Sequence, residues 1–452
     1  MEMVMNQAAS APSSLERPSP AIDPWRAMAR SLPSWHRTIA ETNDREELAA
    51  ALAALPELPP DSLVGLRHEQ ARLIALDVLL IEGFVRHQQP VLEQVAQARL
   101  ERAAGAVAER LGMKPILSYP LYIRHNPQSA QGLRSYTDLP AEHRFIRMHR
   151  FIEDRLDEVI DGLQWIVDST APAAAFVEIF DPLASALRRI NRVMAGFRSP
   201  VRMPNADFMF GFRPYYDPVL DPESGDVLLD GPSGLQSPTF RIVATLCGYE
   251  DPILDGWTRR IGTYHEPVVR EQLENALLAR DAGRSLRDAL SGSLGVANDL
   301  PHLHPSYRTH IPLLLEIARA GRFITAGVEE VARDAGLDLG HWPAEAPASE
   351  EVSVSEAWRA VSRAVAEDPA KREAVIPYLV LEAMLFGFHL EHVATAIAHI
   401  GHERGTGGTS GVEFLQMALF RRAFPGLWVT DLAASMRPEI MAAAATAGVS
   451  VD

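Results

Sequence analysis

Imidazoles at helical spacing are the first residues in this sequence that can do chemistry. Residues 386–415 read FGFHLEHVATAIAHIGHERGTGGTSGVEFL, a helix running into a glycine-rich loop and a second helix. Leu385, His389, His392, Ala396 and His399 fall on one stripe, because positions i, i+3, i+4 and i+7 share a helix face. Ala394, Thr395, Ala396 and Ala398 are small. They leave space for a flat macrocycle beside an inward-facing imidazole, and neutral imidazole is the commonest metal ligand. His392 and His399 stand about 10.5 Å apart along the axis, so at most one of the series can be axial to a single iron. The plainer reading of each is a packed core histidine.

The loop that follows, residues 405–411 or GTGGTSG, has the glycine content of a phosphate cradle but not its pattern. It lacks the Lys of a P-loop, holds Ser410 where G-x-G-x-x-G needs its third glycine, and follows a helix instead of a strand. What it offers is backbone N–H groups and hydroxyls at a helix N-terminus, which favour a carboxylate. Two further stretches carry chemistry. Residues 208–216 read FMFGFRPYY and 231–237 read GPSGLQS; Arg213 can bind a carboxylate bidentately, and the rings around it can receive a flat aromatic. Residues 144–153, RFIRMHRFIE, place His149 on a helix.

Together these segments resemble a known superfamily. His392-Val393, Ile400-Gly401 and GTGGTSG look like the proximal-histidine helix and GTGG(S/T)SG loop of tryptophan 2,3-dioxygenase. Phe208, Arg213 and the 231–237 stretch are similar to the indole-pocket segments of indoleamine 2,3-dioxygenase. The resemblance implies that His392 is the axial ligand of haem b, with His389 as runner-up because the indoleamine enzyme has a similar His-Leu-x-x-Val sequence. Gly405, Gly407 and Gly408 would line the cofactor. Thr406 and Arg213 would hold the amino-acid end of a tryptophan-like substrate beside Phe208, Tyr216, Ser233 and Gly234. The helix around His149 resembles the distal-side helix of the indoleamine enzyme, so His149 would hydrogen-bond dioxygen or the indole N–H, with a structural histidine as the plainer reading. Residues 134–140, Asn126-Pro127 and residues 213–218 look like segments of monodechloroaminopyrrolnitrin synthase, a branch that implies secondary metabolism. The complete GTGGTSG is closer to the dioxygenases. Alternatives in the same frame are a haem peroxygenase acting on a tyrosine-like amino acid and a non-catalytic haem sensor or carrier. A small metal site at His302, His304 and His310 is a further, weaker option.

The elements that must position these residues are helices. Apolar residues recur at three- and four-residue spacing over about 67–88, 90–112, 141–168, 172–195, 256–280, 307–335 and 370–401, and the only strand-like alternation, 226–229, allows a small hairpin at most. The expected fold is all-α, of the indoleamine/tryptophan dioxygenase kind. Irregular stretches are expected at 196–238 and 338–353. Residues 1–22 read as a tail outside the fold, 23–130 as a smaller helical region and 131–452 as the large helical haem-binding domain.

Composition limits the rest. With 452 residues, 47% of them hydrophobic, the chain can bury a large core, and a net charge of −16 disfavours a nucleic-acid partner. Its single cysteine, Cys247, excludes an internal disulfide, a cysteine-rich zinc site and c-type haem attachment. No apolar run reaches the roughly 20 residues of a bilayer helix, so no membrane association and a cytoplasmic location are expected. An electron donor to reduce the iron is implied; a homodimer is one option for assembly.

Overall fold

The computed structural model describes residues 20–129, 132–168, 185–248 apart from 188, 195 and 198, 252–289 apart from 287, and residue 392. The expected helix at 307–335, that at 370–401 apart from residue 392, residues 172–184 of the helix expected over 172–195, the stretch at 338–353, the candidate metal site at 302–310 and most of the 1–22 tail lie outside the described residues. The end of that tail does not: Ile22 is buried.

The described fold is all-α apart from one hairpin. It divides into two compact units, one running to Leu117 and including His125–Thr137, the other made of Ser118–Arg124 and the chain from Asp138 onward. In the first unit, α1 (Asp23–Thr42), α2 (Glu46–Ala53), α3 (Asp61–Val64), α4 (His68–Gln88) and α5 (Gln94–Leu111) follow one another. The α4 helix is apolar nearly all round, as a helix packed on several sides must be. It buries Ile74 through Ile81 and Phe84 against α1 and α5. Its start is fixed by the Gln70 side chain, which accepts the Arg67 N–H at 3.0 Å. The α5 helix ends at Gly112, whose φ of 67° is the left-handed conformation that glycine adopts without strain.

One charge sits inside that apolar helix. Asp77 is fully buried and takes the Arg134 Nε at 2.5 Å. Asn126 in turn accepts the Arg134 N–H at 2.9 Å and donates to its carbonyl at 2.7 Å. Burial pushes the Asp77 carboxyl up to about 6, against the pull of Arg134. The pair ties the 125–137 segment to α4.

The second unit contains α6 (Tyr119–Ile123), α7 (Pro140–Asp168), α8 (Pro238–Leu246), α9 (Pro252–Gly262) and α10 (Pro267–Asp281). The α7 helix packs on α6 and α8, and α8 on α10. The described residues between 185 and 197 are also helical and bury Leu187, Ile190 and Met194. The expected single helix over 256–280 is two helices. Pro267 has no N–H to continue the first, and Glu266 before it is extended, with φ −62° and ψ 153°. The stretch at 196–238 is more ordered than its composition suggested. It holds a π-helical turn at Asp207–Phe212, a 3-10 turn at Arg213–Tyr216, strands β1 (Val219–Leu220) and β2 (Val227–Leu229) in an antiparallel hairpin, and a 3-10 turn at Gly234–Gln236. No helix among the described residues is long and apolar enough to cross a membrane.

Breaking one side of a buried ion pair leaves an uncompensated charge and costs about 3–5 kcal/mol. Asp77→Ala is therefore expected to lose that much in urea unfolding, and a loss below about 1 kcal/mol would show that Arg134 reaches water instead.

Candidate active site

The site is built on one face of α7. Glu142, Ile146, His149, Glu153, Leu156 and Leu163 succeed one another at three- to seven-residue spacing, so they share a stripe, and that stripe mixes core residues with three polar ones. His149 lies with Nδ1 2.9 Å from the carbonyl oxygen of Phe145, one turn back. A carbonyl only accepts, so Nδ1 carries the proton and Nε2 of the neutral ring is the acceptor. Desolvation lowers the His149 pKa to about 4, opposed by the Phe145 bond and reinforced by His392. His149 is thus an uncharged base at neutral pH.

Aromatic rings enclose it. Phe145 lies 4.0 Å from the His149 ring centre, and the Tyr119 ring meets it edge-on at 5.8 Å. Phe145 also touches Phe208, Phe212 and Tyr216, at 6.1, 5.6 and 5.9 Å. These last three come from the π-helical and 3-10 turns, each four residues on from the last. Arg213 is buried on the same turn. Tyr216 is held from behind: its hydroxyl donates to Tyr122 at 3.1 Å, and Tyr122 donates to the buried Glu142. Burial and the Glu142 charge push the Tyr122 phenol well above its ordinary range, so it stays a donor.

The loop from Gly231 to Ser237 forms a further wall. Gly231 packs on the Tyr216 carbonyl so closely that a Cβ would overlap it. Asp230, just before it, is buried, takes both contacts of Arg260 at 3.0 and 3.1 Å, and gives its N–H to Tyr264 at 2.8 Å. At the other end Gln236 accepts the Tyr119 N–H at 2.8 Å and donates to the Gly231 carbonyl at 3.1 Å. Ser237 and Thr239 donate to Glu153 at 2.6 and 2.7 Å. Between these anchors Ser233 is half-buried and Gly234 exposed.

His392 comes to this loop. Its Cε1 lies 3.9 Å from where a Cβ on Gly234 would stand, ordinary van der Waals range. The residue is half-buried, and desolvation lowers the pKa of its ring to about 4. The structure therefore gathers His149, Phe208, Tyr216 and Arg213 on α7 and the turns beside it, and brings His392 to Gly234 and within electrostatic reach of His149. His389, Thr406, Gly405, Gly407 and Gly408 lie outside the described residues. Sequence reading missed Glu153, Glu142, Tyr119, Tyr122 and Gln236. Carboxylates at positions 142 and 153 on an otherwise apolar stripe were the available signal.

No family model matches the chain. Over 86 residues, 18% of its length, it is 41% identical to the tryptophan 2,3-dioxygenase of Ruegeria pomeroyi, covering 30% of that protein. Over 130 residues, 28% of its length, it is 32% identical to the tryptophan 2,3-dioxygenases of Bacillus thuringiensis and Bacillus cereus, covering 44% of each. These matches support the tryptophan 2,3-dioxygenase superfamily. The chain spans less than half the length of these curated relatives.

Unfolded histidines titrate near 6.5, whereas folded His149 and His392 have values of about 4. Their contribution to stability is full above pH 6.5 and is lost as pH falls toward 4, by up to ~1.4 kcal/mol per pH unit for each ring. His149→Gln is expected to make the fall in unfolding free energy between pH 6.5 and 5 shallower by about one ring's share. Identical slopes for the two proteins would mean that folded His149 already carries a proton.

Proposed function

We propose that this chain is a haem-dependent oxygenase that acts with dioxygen on tryptophan or a substituted tryptophan. The observation that carries the reading is the pair of uncharged imidazoles, His149 and His392, near each other beside an aromatic wall, a buried arginine and a glycine-containing loop. The similarity to tryptophan 2,3-dioxygenases over part of the chain supports it.

The donor set fits the cofactor. His392 would offer a neutral imidazole lone pair at physiological pH, as a ligand to iron must. His392 would hold haem b, with Gly405, Gly407 and Gly408 lining it. The haem, when bound, supplies the activation of dioxygen toward an electron-rich ring.

The protein's share is orientation. Arg213 and Thr406 take the substrate carboxylate, Ser233 and Gly234 border its amino-acid end, and Phe208 and Tyr216 hold the ring. The tautomer of His149 selects between its two candidate roles. With Nδ1–H given to Phe145, Nε2 accepts the indole N–H; it cannot donate to dioxygen while neutral. The product is a ring-opened N-formylkynurenine-type compound for complete dioxygenation, or a rearranged aminophenylpyrrole for a secondary-metabolic synthase. An external electron donor keeps the iron ferrous.

Purified protein loaded with haem is expected to show a Soret band that shifts when L-tryptophan is added. Absence of haem uptake under these conditions would reject the reading. Arg213→Ala is expected to weaken tryptophan binding at least tenfold while leaving plain indole within about twofold, since a charged hydrogen bond is worth roughly 1.5–3 kcal/mol; equal losses would remove its assigned role.

A further inference from the structure

We infer that Glu153 is a positioning residue that sets the Gly231–Ser237 loop against the amino-acid end of the substrate, and so governs selectivity for an amino acid over plain indole. The substrate half of this inference rests on the oxygenase reading; the positioning half stands on geometry alone.

Glu153 lies one turn beyond His149 on α7 and is fully buried. Its carboxylate takes three hydroxyls from two parts of the chain: Ser237 at 2.6 Å and Thr239 at 2.7 Å from the start of α8, and Tyr119 at 3.2 Å from α6. The Arg124 guanidinium stands 3.9 Å away. A carboxylate has about four acceptor sites and no donor, so three donors and one cation nearly saturate it.

The Ser237 hydroxyl does two things at once. It donates its proton to Glu153 and accepts the Phe240 N–H at 3.2 Å, capping α8. That division works only while residue 153 is an acceptor. A neutral amide there has one acceptor oxygen and two donor hydrogens, so at least one of the three hydroxyls must turn round. If Ser237 turns, its oxygen accepts from residue 153 as well as from the Phe240 N–H, its proton needs a new acceptor, and the α8 cap must re-form around a reoriented hydroxyl.

Gln236, the residue before Ser237, fixes the same segment to the Tyr119 N–H and closes the loop on the Gly231 carbonyl. Tyr119 thus meets the loop twice, through Gln236 and through Glu153, and its ring also rests edge-on against His149. Displacing Glu153's partners therefore moves Ser233 and Gly234, the two loop residues placed at the substrate, together with one wall of the His149 cage. Phe208, whose ring would face the indole, is reached through Phe145 and not through this network. Loss of the acceptor should accordingly act more on the zwitterionic end of the ligand than on the ring, which the network reaches by way of Tyr119 beside His149 and Gly231 against the Tyr216 carbonyl.

The test compares the full chain with Glu153→Gln and Thr239→Val, the second removing one donor while leaving the carboxylate. Hydrogen exchange of the 231–240 amides is expected to speed up at least tenfold in Glu153→Gln and less in Thr239→Val, with α4 unchanged. In the haem-loaded proteins, spectral titration should give an L-tryptophan Kd raised at least fivefold in Glu153→Gln, while the indole Kd moves less than twofold. Unchanged exchange in both variants overturns the positioning role. Faster exchange with equal losses for tryptophan and indole overturns the selectivity role and leaves a purely structural one. A wild-type protein that binds neither ligand refutes the oxygenase reading, and the exchange data still decide whether Glu153 positions the loop. Should Glu153→Gln fail to fold, Thr239→Val carries both readouts.

Discussion

Taking a carboxylate and an imidazole out of water on one helix face constrains everything packed against that face. Polar groups buried without partners are expensive, and α7 buries Glu142 and Glu153 with His149 between them. Each is answered from a different direction. Tyr122 meets Glu142, the Phe145 carbonyl meets His149, and Ser237, Thr239 and Tyr119 meet Glu153. The demand for hydrogen-bond partners thereby fixes α6, the start of α8 and the loop before it around a single helix. An apolar α7 would pack as well but would leave the orientation of those segments unspecified.

The same desolvation decides the electrostatics of the site. His149 and His392 are both driven neutral, and a proton on either would oppose one on the other. Two uncharged bases near each other would, in the proposed function, suit a ligand that brings its own charge at one end and a neutral aromatic at the other. In that proposal the aromatic wall of Phe145, Phe208, Phe212 and Tyr216 would serve the neutral end. Its tilted and edge-on pairs contribute roughly 0.5–1.5 kcal/mol each beyond simple burial, which makes the wall stiff as well as apolar. Glycine at 231 belongs to this stiffness: only a residue without a Cβ lets the loop lie against the Tyr216 carbonyl.

Periodicity made the long helices legible, because the spacing of Ile74, Val78 and Ile81, or of Ile146, Ile152 and Val159, is a local property. Of the hairpin, only the second strand, Val227–Leu229, was legible, from its short alternation beside glycine and proline. The break between α9 and α10 was also written locally, in Pro267, but the apolar period runs through it and masked the signal. Residues 207–216 looked irregular because π and 3-10 turns do not keep the 3.6-residue period. The motif residues His149, Phe208, Arg213, Tyr216 and Gly234 were singled out through the resemblance of their segments to the dioxygenase motifs, which their types alone would not have done. Their supports could not. Glu153 finds Ser237 and Thr239 across 84 and 86 positions, and Tyr119 finds Gln236 across 117; such separations leave no local trace except a carboxylate where an apolar residue belongs.

The central claim is that the imidazole of His392 is the protein's ligand to haem iron. Pulsed electron paramagnetic resonance of the ferric, haem-loaded protein, grown with 15N-labelled histidine, tests it directly. The account predicts one strongly coupled histidine nitrogen that disappears in His392→Ala. A coupling of unchanged strength in that variant would contradict it.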